Sequence, residues 1–316
     1  MSSLRATTSL RARAPYVCVL SPAKTMDASA RTGDERARDE SAVTAPRYLD
    51  RARALARALA GTLTPARARE IMDVSDAIAR KTCEEFRSFD SAKTKPCAHA
   101  FAGPAFKSMN AKAFKTQDDV ERLSAHVRVL SGLYGVLRPY DEIAPHRLEM
   151  GTKLRTLGSE LGASDLYEFW GDAVAEALAD DVEELAKTTT NPAPFVVNCA
   201  SQEYFKSVRT DVLEKRGILV YTMTFPGPSV YAKQARGAMA RHCVDAKVAS
   251  PEDLKTFRGA DGAWTFDASA SSTFNFVFTR AGVKKPAPGK PKARVNPAQA
   301  TSAANSSRPA KRVKAR

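Results

Sequence analysis

No stretch of this 316-residue chain approaches the ~18–20 unbroken apolar residues that a membrane-spanning helix needs. No secretory hydrophobic region is read at its start. There is no CxxC, and the five cysteines (Cys18, Cys83, Cys97, Cys199 and Cys243) are odd in number and widely spaced. A disulfide framework or a cysteine-rich zinc site is therefore not expected, and reduced thiols are. The four histidines, His99, His126, His146 and His242, show no metal-ligand spacing such as HxxxH. No metal site and no cofactor are expected. Internal repeats are also lacking.

Acid is missing from both ends. Residues 281–316 hold ten Lys and Arg without one Asp or Glu, and residues 1–15 hold Arg5, Arg11 and Arg13, again without acid. The net charge of +14 thus sits almost wholly in the tails, and the stretch between them carries 36 basic against 35 acidic residues. If that stretch binds a polyanion, it must do so with a local patch and not a global field. Apolar content of 43% with 27% charged residues is ordinary for a globular protein.

The pattern along the chain predicts an α/β (α+β) domain over residues 16–280, a mixed β-sheet flanked by helices. Tyr16–Leu20 reads as a buried strand. Val127–Ser131, Phe195–Cys199 and Ile218–Phe225 are further strands, and Ala263–Asp267 with Thr273–Arg280 should form an antiparallel pair. A helix over Pro46–Ala60 aligns Leu49, Ala52, Ala56 and Leu59 on one face. Thr64-Pro65 opens a second that aligns Ile71, Val74, Ile78 and Phe86. Thr116–Asp119 is a capping box. Asp165–Glu168 opens a helix with Leu166, Phe169, Trp170, Ala173 and Leu178 as its stripe. Ala28–Ala45, charged and polar, is expected to be a loop. Residues 1–15 (MSSLRATTSLRARAP) have the composition of an organelle transit peptide or of a disordered basic start. Residues 281–316 are expected to be a disordered basic tail. Its RPAKRVKAR end is read as a nuclear localisation signal, a nonspecific nucleic-acid arm or a solvated tail.

Chemistry concentrates in short segments that combine glycine, aromatics and fixed charge: SPAKTMD (21–27), LSGLYGVLRP (130–139), HRLEMG (146–151), DLYEFWG (165–171), NCASQEYFK (198–206) and YAKQARGAMAR (231–241). Taken in order, SPAKTMD, LSGLYGVLRPYDEIAPHRLEMG and YAKQARG resemble the YaaA peroxide-stress-resistance family. The likeness runs from about Val17 to Arg280, over four fifths of the chain. It implies a cytosolic protein that limits peroxide damage, with double-stranded DNA bound in a basic cleft with a helix-hairpin-helix-like element. It implies no established enzymatic reaction. The tails lie outside the family pattern, and they point instead to a chloroplast or mitochondrion at one end and the nucleus at the other. Between Phe225 and Tyr231 the chain reads PGPSV, shorter than the family's usual hairpin, so a strand is expected to be missing there.

The residues also speak for themselves. Gly132 and Gly135 allow close backbone approach, either to hold a phosphate on exposed amides or to make a tight packing turn. Lys233, Arg236 and Arg241, at i, i+3 and i+8, span roughly 140° of a helix face, and Gly237 within that helix implies something packed or bound close by. Lys24 follows a strand, where α/β folds keep their ligand sites. Arg147 and Glu149 alternate about Leu148 as an ion pair or half of a site, and Lys206 follows the aromatic pair Tyr204-Phe205. With the resemblance, Lys24, Arg138, Arg147, Lys206, Lys233, Arg236 and Arg241 form one cleft for duplex phosphates. The rival reading is an enzyme acting on a phosphorylated or nucleobase-like small molecule, in which Lys24, Glu149, Glu203 and Arg236 converge and a glutamate is acid or base. A third, direct iron binding, has the histidine and cysteine spacing against it. An open positive groove of duplex width favours the first; a deep closed pocket containing Glu149 and Glu203 favours the second.

Overall fold

Short runs of β-branched and aromatic residues become the parallel centre of a seven-stranded sheet. The computed structural model describes residues 14–27, 29–154, 162–187 and 193–282. The readings placed on the two tails fall outside these, apart from residues 14, 15, 281 and 282. The strands are β1 (Tyr16–Leu20), β2 (Lys95–Pro96), β3 (Val127–Ser131), β4 (Gly135–Leu137), β5 (Glu142–Ile143), β6 (Phe195–Asn198), β7 (Leu219–Thr224), β8 (Trp264–Phe266) and β9 (Asn275–Arg280). The sheet order is β4-β3-β1-β6-β7-β9-β8, with β2 and β5 paired separately. The five middle strands are parallel, while β4 and β8 pair antiparallel at the two edges. The fold is mixed α/β, as the sequence pattern predicts.

The α-helices are α1 (Gly33–Asp39), α2 (Leu49–Thr62), α3 (Pro65–Met72), α4 (Asp76–Arg87), α5 (Cys97–Ala100), α6 (Pro104–Met109), α7 (Gln117–His126), α8 (Leu166–Trp170), α9 (Ala173–Ala186), α10 (Gln202–Phe205), α11 (Thr210–Lys215) and α12 (Ser229–Asp245). Every residue of β1 is buried, as expected of a parallel strand covered on both faces. On one face Tyr16 donates to the Cys243 carbonyl of α12 at 3.1 Å and stacks on His126 of α7 at 4.4 Å. Arg128, the register partner of Val19, reaches Asp181 of α9 at 2.6 Å. Residues in register share a face and successive residues alternate, so α9 covers the side opposite α12.

Four expectations change. The helix expected through Ile71 and Phe86 is two, α3 and α4. Asp73 turns left-handed (φ 49°) and the Ser75 hydroxyl accepts the Ile78 N–H as a new N-cap. The helix expected from Asp165 to Leu178 breaks at Gly171 (φ 51°) into α8 and α9. The expected loop Ala28–Ala45 contains α1, opened by a Thr32/Glu35 capping box. Finally, Gly132–Gly135 is not part of a helix-hairpin-helix. Ser131 pairs with Gly135, so the segment is the tight turn between β3 and β4. All of residues 131–137 are buried, so this turn offers no open amides to a phosphate. Its glycines serve packing. A Cβ on Gly132 would lie 2.5 Å from the Leu148 carbonyl oxygen, and Gly135 takes φ 71° beneath the Trp170 ring. The helical hairpin of the described chain is α3–α4, with an exposed turn at Asp73 and Ser75.

The topology creates one privileged crevice. From β1 the chain moves to β3 on one side, while from β6 it moves to β7 on the other. The adjacent carboxyl ends of β1 and β6 are thus a topological switch point, where open α/β sheets bind ligands.

Candidate functional site

The loops that leave those two strand ends, Ser21–Thr25 and Cys199–Glu203, form the floor of a cleft of about 520 Å³. They are tied to each other: the Ser21 hydroxyl accepts the Ser201 N–H at 2.8 Å and lies 3.2 Å from the Ser201 hydroxyl. The Asn198 side chain holds the turn by accepting the Ala200 N–H at 3.0 Å. The start of α6, the His146–Glu149 segment and the α12 side chains Lys233 and Arg236 complete the walls.

Two close backbone approaches fix those walls. A Cβ on Gly103, ahead of α6, would meet the Ala23 Cβ at 2.8 Å. One on Gly237 would lie 1.8 Å from the Ala105 carbonyl oxygen. The glycine inside α12 therefore lets α6 and α12 touch, which answers what packs beside it and sets where Arg236 enters the cleft.

Charge inside is mixed. Glu149 sits between Lys24 Nζ at 2.8 Å and Arg147 Nη2 at 3.0 Å. Glu203 accepts the Gly151 N–H at 3.0 Å. Arg236 has no carboxylate within ion-pair distance among the described residues, and burial pulls its pKa below the ordinary arginine value. The Nε atoms of Arg236 and Arg147 are both buried with no hydrogen-bond partner. His146 packs against Tyr134 and Phe101 and donates from Nδ1 to the Ala144 carbonyl at 2.9 Å. Burial lowers its pKa to about 4, so at neutral pH it is an uncharged imidazole with its lone pair on Nε2. Burial, with the charges of Glu203 and Glu149, pushes the Tyr204 phenol well up.

Of the seven cations expected in one cleft, Lys24, Arg147, Lys233 and Arg236 line it. The other three lie elsewhere. Arg241, 140° around α12 from Arg236, is turned to α6: it donates to the Asn110 carbonyl at 3.1 Å and pairs with Asp245 at 2.9 Å, its guanidinium over the Phe114 ring. Lys206 rests 4.3 Å above the Tyr167 ring. Arg138 lies 3.5 Å from Asp181, beside a separate hollow of about 200 Å³ shared with Arg47 and Arg128. Glu149 and Glu203 both line the main cleft, as the rival reading required. Sequence reasoning missed Ser21, Ser201 and His146 as cleft residues, and read Tyr204 only as an aromatic beside Lys206. The signal for the serines was available, because each follows a buried strand at the point where the chain turns.

Residues 17–270 match the profile of the family described as peroxide stress protein YaaA. The chain belongs to that family. A UPF0246 protein of Burkholderia mallei (strain SAVP1) is 38% identical over 276 residues, covering 84% of this chain and 98% of its own length. One of Burkholderia pseudomallei (strain 668) matches equally, at 38% over 276 residues and the same coverage. One of Cupriavidus pinatubonensis is 40% identical over 273 residues, 83% of this chain and 97% of its own. The matched span of this YaaA-family chain carries all the loops of the cleft. No helix among the described residues is long and apolar enough to cross a membrane.

Proposed function

We propose that this YaaA-family chain serves peroxide-stress defence through a small-molecule site, binding and acting on a phosphorylated or nucleobase-like compound in the switch-point cleft. The observation that carries this reading is the cleft's make-up: about 520 Å³ with Glu149 and Glu203 inside it beside four cations. That volume falls in the ~300–1,000 Å³ range of small-ligand pockets. A surface for duplex phosphates has no use for two carboxylates on its walls, since each would repel the backbone. A site that orients a small polar molecule uses both signs. Glu149 and Glu203, with the neutral His146 beside them, are the acid–base candidates.

Duplex DNA binding is the second reading, favoured by the exposed α3–α4 hairpin. Along that hairpin Arg67, Arg69, Arg80, Lys81 and Arg87 are offset by Glu70, Asp73, Asp76, Glu84 and Glu85. The hairpin therefore supplies little net positive field, and the tails supply much.

Two titrations test both readings. Thermal-shift screening of the full chain with nucleosides, nucleotides and sugar phosphates should show a stabilising ligand whose effect is lost in Glu203→Gln. A screen in which nothing stabilises the chain would count against the small-molecule site. Duplex DNA should bind the full chain with strong salt dependence and bind a Tyr16–Arg280 truncation weakly. Equal, salt-dependent binding by the truncation would favour the duplex reading.

A further inference from the structure

Other enclosed arginines have a carboxylate close by: even Arg31, whose Nη1 is also buried without a hydrogen bond, lies 3.9 Å from Asp39, with its Nη2 3.8 Å from Glu142. Arg128 donates from Nε to Asp181 at 2.6 Å and from Nη1 to the Ser124 and Val127 carbonyls at 2.7 and 2.6 Å. Arg216, partly buried, is held by Glu183 and Asp180. Arg236 breaks this pattern. It reaches the cleft from α12 with its Nε enclosed and unpartnered and with no described carboxylate to balance it. Its neighbour across the cleft, Arg147, has given one nitrogen to Glu149 and likewise keeps a buried, unpartnered Nε.

Arg236 is partly buried, and enclosing part of a guanidinium without an anion or full hydrogen bonding is costly to the fold. Such a cost is tolerated where a ligand removes it. The geometry of an arginine fork matches a tetrahedral or planar oxyanion, and such pairs are roughly twice as strong as neutral hydrogen bonds. Lys233, one turn earlier on α12 and exposed, stands at the same wall with no described carboxylate partner. It adds a second positive charge. The opposite sign lies elsewhere in the cleft: Glu203 uses Oε1 on the Gly151 N–H, and its carboxylate can accept from a ligand N–H as well.

Resting on the small-molecule reading above, we propose that the cleft takes a phosphomonoester of an amino-bearing heterocycle, a nucleoside monophosphate in class. Arg236 with Lys233 grips the phosphate, and Glu203 accepts from the heterocycle's N–H donors.

Calorimetric titration of the full-length chain tests this, with AMP, GMP, CMP and UMP, the four matching nucleosides, and inorganic phosphate as probes. At least one monophosphate should bind ten-fold or more tightly than its nucleoside. Arg236→Gln should erase that ten-fold difference and leave nucleoside affinity unchanged, while Arg236→Lys should keep part of it. Because these variants retain both basic tails, nonspecific phosphate binding by the tails cancels in the comparison. A nucleoside that binds as tightly as its monophosphate, or an Arg236→Gln change that weakens both alike, overturns the oxyanion subsite and leaves the small-molecule reading standing. If none of the nine probes binds the unaltered chain, the monophosphate proposal falls, and the small-molecule reading is decided by the wider thermal-shift screen. Should Arg236→Gln not fold, as judged by circular dichroism, Lys233→Gln, at an exposed position, takes its place: it should weaken monophosphate binding and spare nucleoside binding, and equal weakening of both overturns the subsite.

Discussion

His146 shows how burial assigns a role to a single side chain. Enclosed by Tyr134 and Phe101, it has a folded-state pKa of about 4, against an ordinary histidine value of ~6.5. As pH falls, the unfolded chain takes up this proton first. The contribution of the neutral ring is therefore complete above pH ~6.5 and is lost progressively toward pH 4, amounting to on the order of 3 kcal/mol. His242 is shifted in the same direction by burial and adds to the trend. Urea denaturation at pH 7 and pH 4.5 should show the unaltered chain losing stability. His146→Asn, though less stable at pH 7, should lose less across the same interval. A pH slope identical in the two proteins would remove His146 from the account. Gly135 makes a second residue-scale case. Its φ is 71°, and a Cβ added there would stand 2.8 Å from the Trp170 ring, so Gly135→Ala meets strain and a clash together. It should cost about 2 kcal/mol or more in denaturant midpoint measurements.

Element α12 joins the core to the cleft. Its Ala240 and Cys243 lie in the core, its Arg236 enters the cleft, and its Gly237 touches α6. Gly237→Ala removes a helix-weakening residue, a gain of up to ~1 kcal/mol, but drives a methyl into the Ala105 carbonyl. The clash wins, because both atoms belong to packed backbones, and we expect a net loss of about 2 kcal/mol. The same shift displaces Arg236, so ligand affinity should fall along with the melting temperature. Stability lost with affinity intact would show that α12 does not position the site. Legibility differed between elements for physical reasons. The buried parallel strands announced themselves as short apolar runs, because both faces are covered. Thr116–Asp119 announced α7 through its cap. The break between α3 and α4 did not show, since Asp73 adopts a conformation usually flagged by glycine. Nor did α1, whose charged residues form no apolar stripe. Lys24 lines the cleft at the strand end where that rule looks for a ligand site. Arg138 and Arg241 do not line it, because their partners, Asp181 and the carbonyls ending α6, are brought to them only by tertiary packing.

At the scale of the whole molecule, charge and site are separate. The +14 of the chain lies mostly in stretches outside the 16–280 span, whereas the cleft sets four cations against Glu149 and Glu203. Polyanion affinity of the full chain should therefore fall steeply between 50 and 200 mM salt, as expected for counterion release. Binding of a single small ligand in the cleft should change far less over the same range. Parallel salt titrations of duplex DNA and of the best small ligand check this; equal slopes would place both on one surface.

The Ser21–Ser201 clasp joins two positions 180 residues apart in sequence. Half of the cleft floor is made early in the chain and half late, so no contiguous fragment owns the site. A cut between Glu149 and Cys199 would leave one piece holding Lys24, Arg147 and Glu149 and another holding Glu203, Lys233 and Arg236. Neither alone would bind, and mixing the two would restore binding only as the central strands β1 and β6 re-pair. Occupancy of the cleft is thus a direct assay for completion of the sheet.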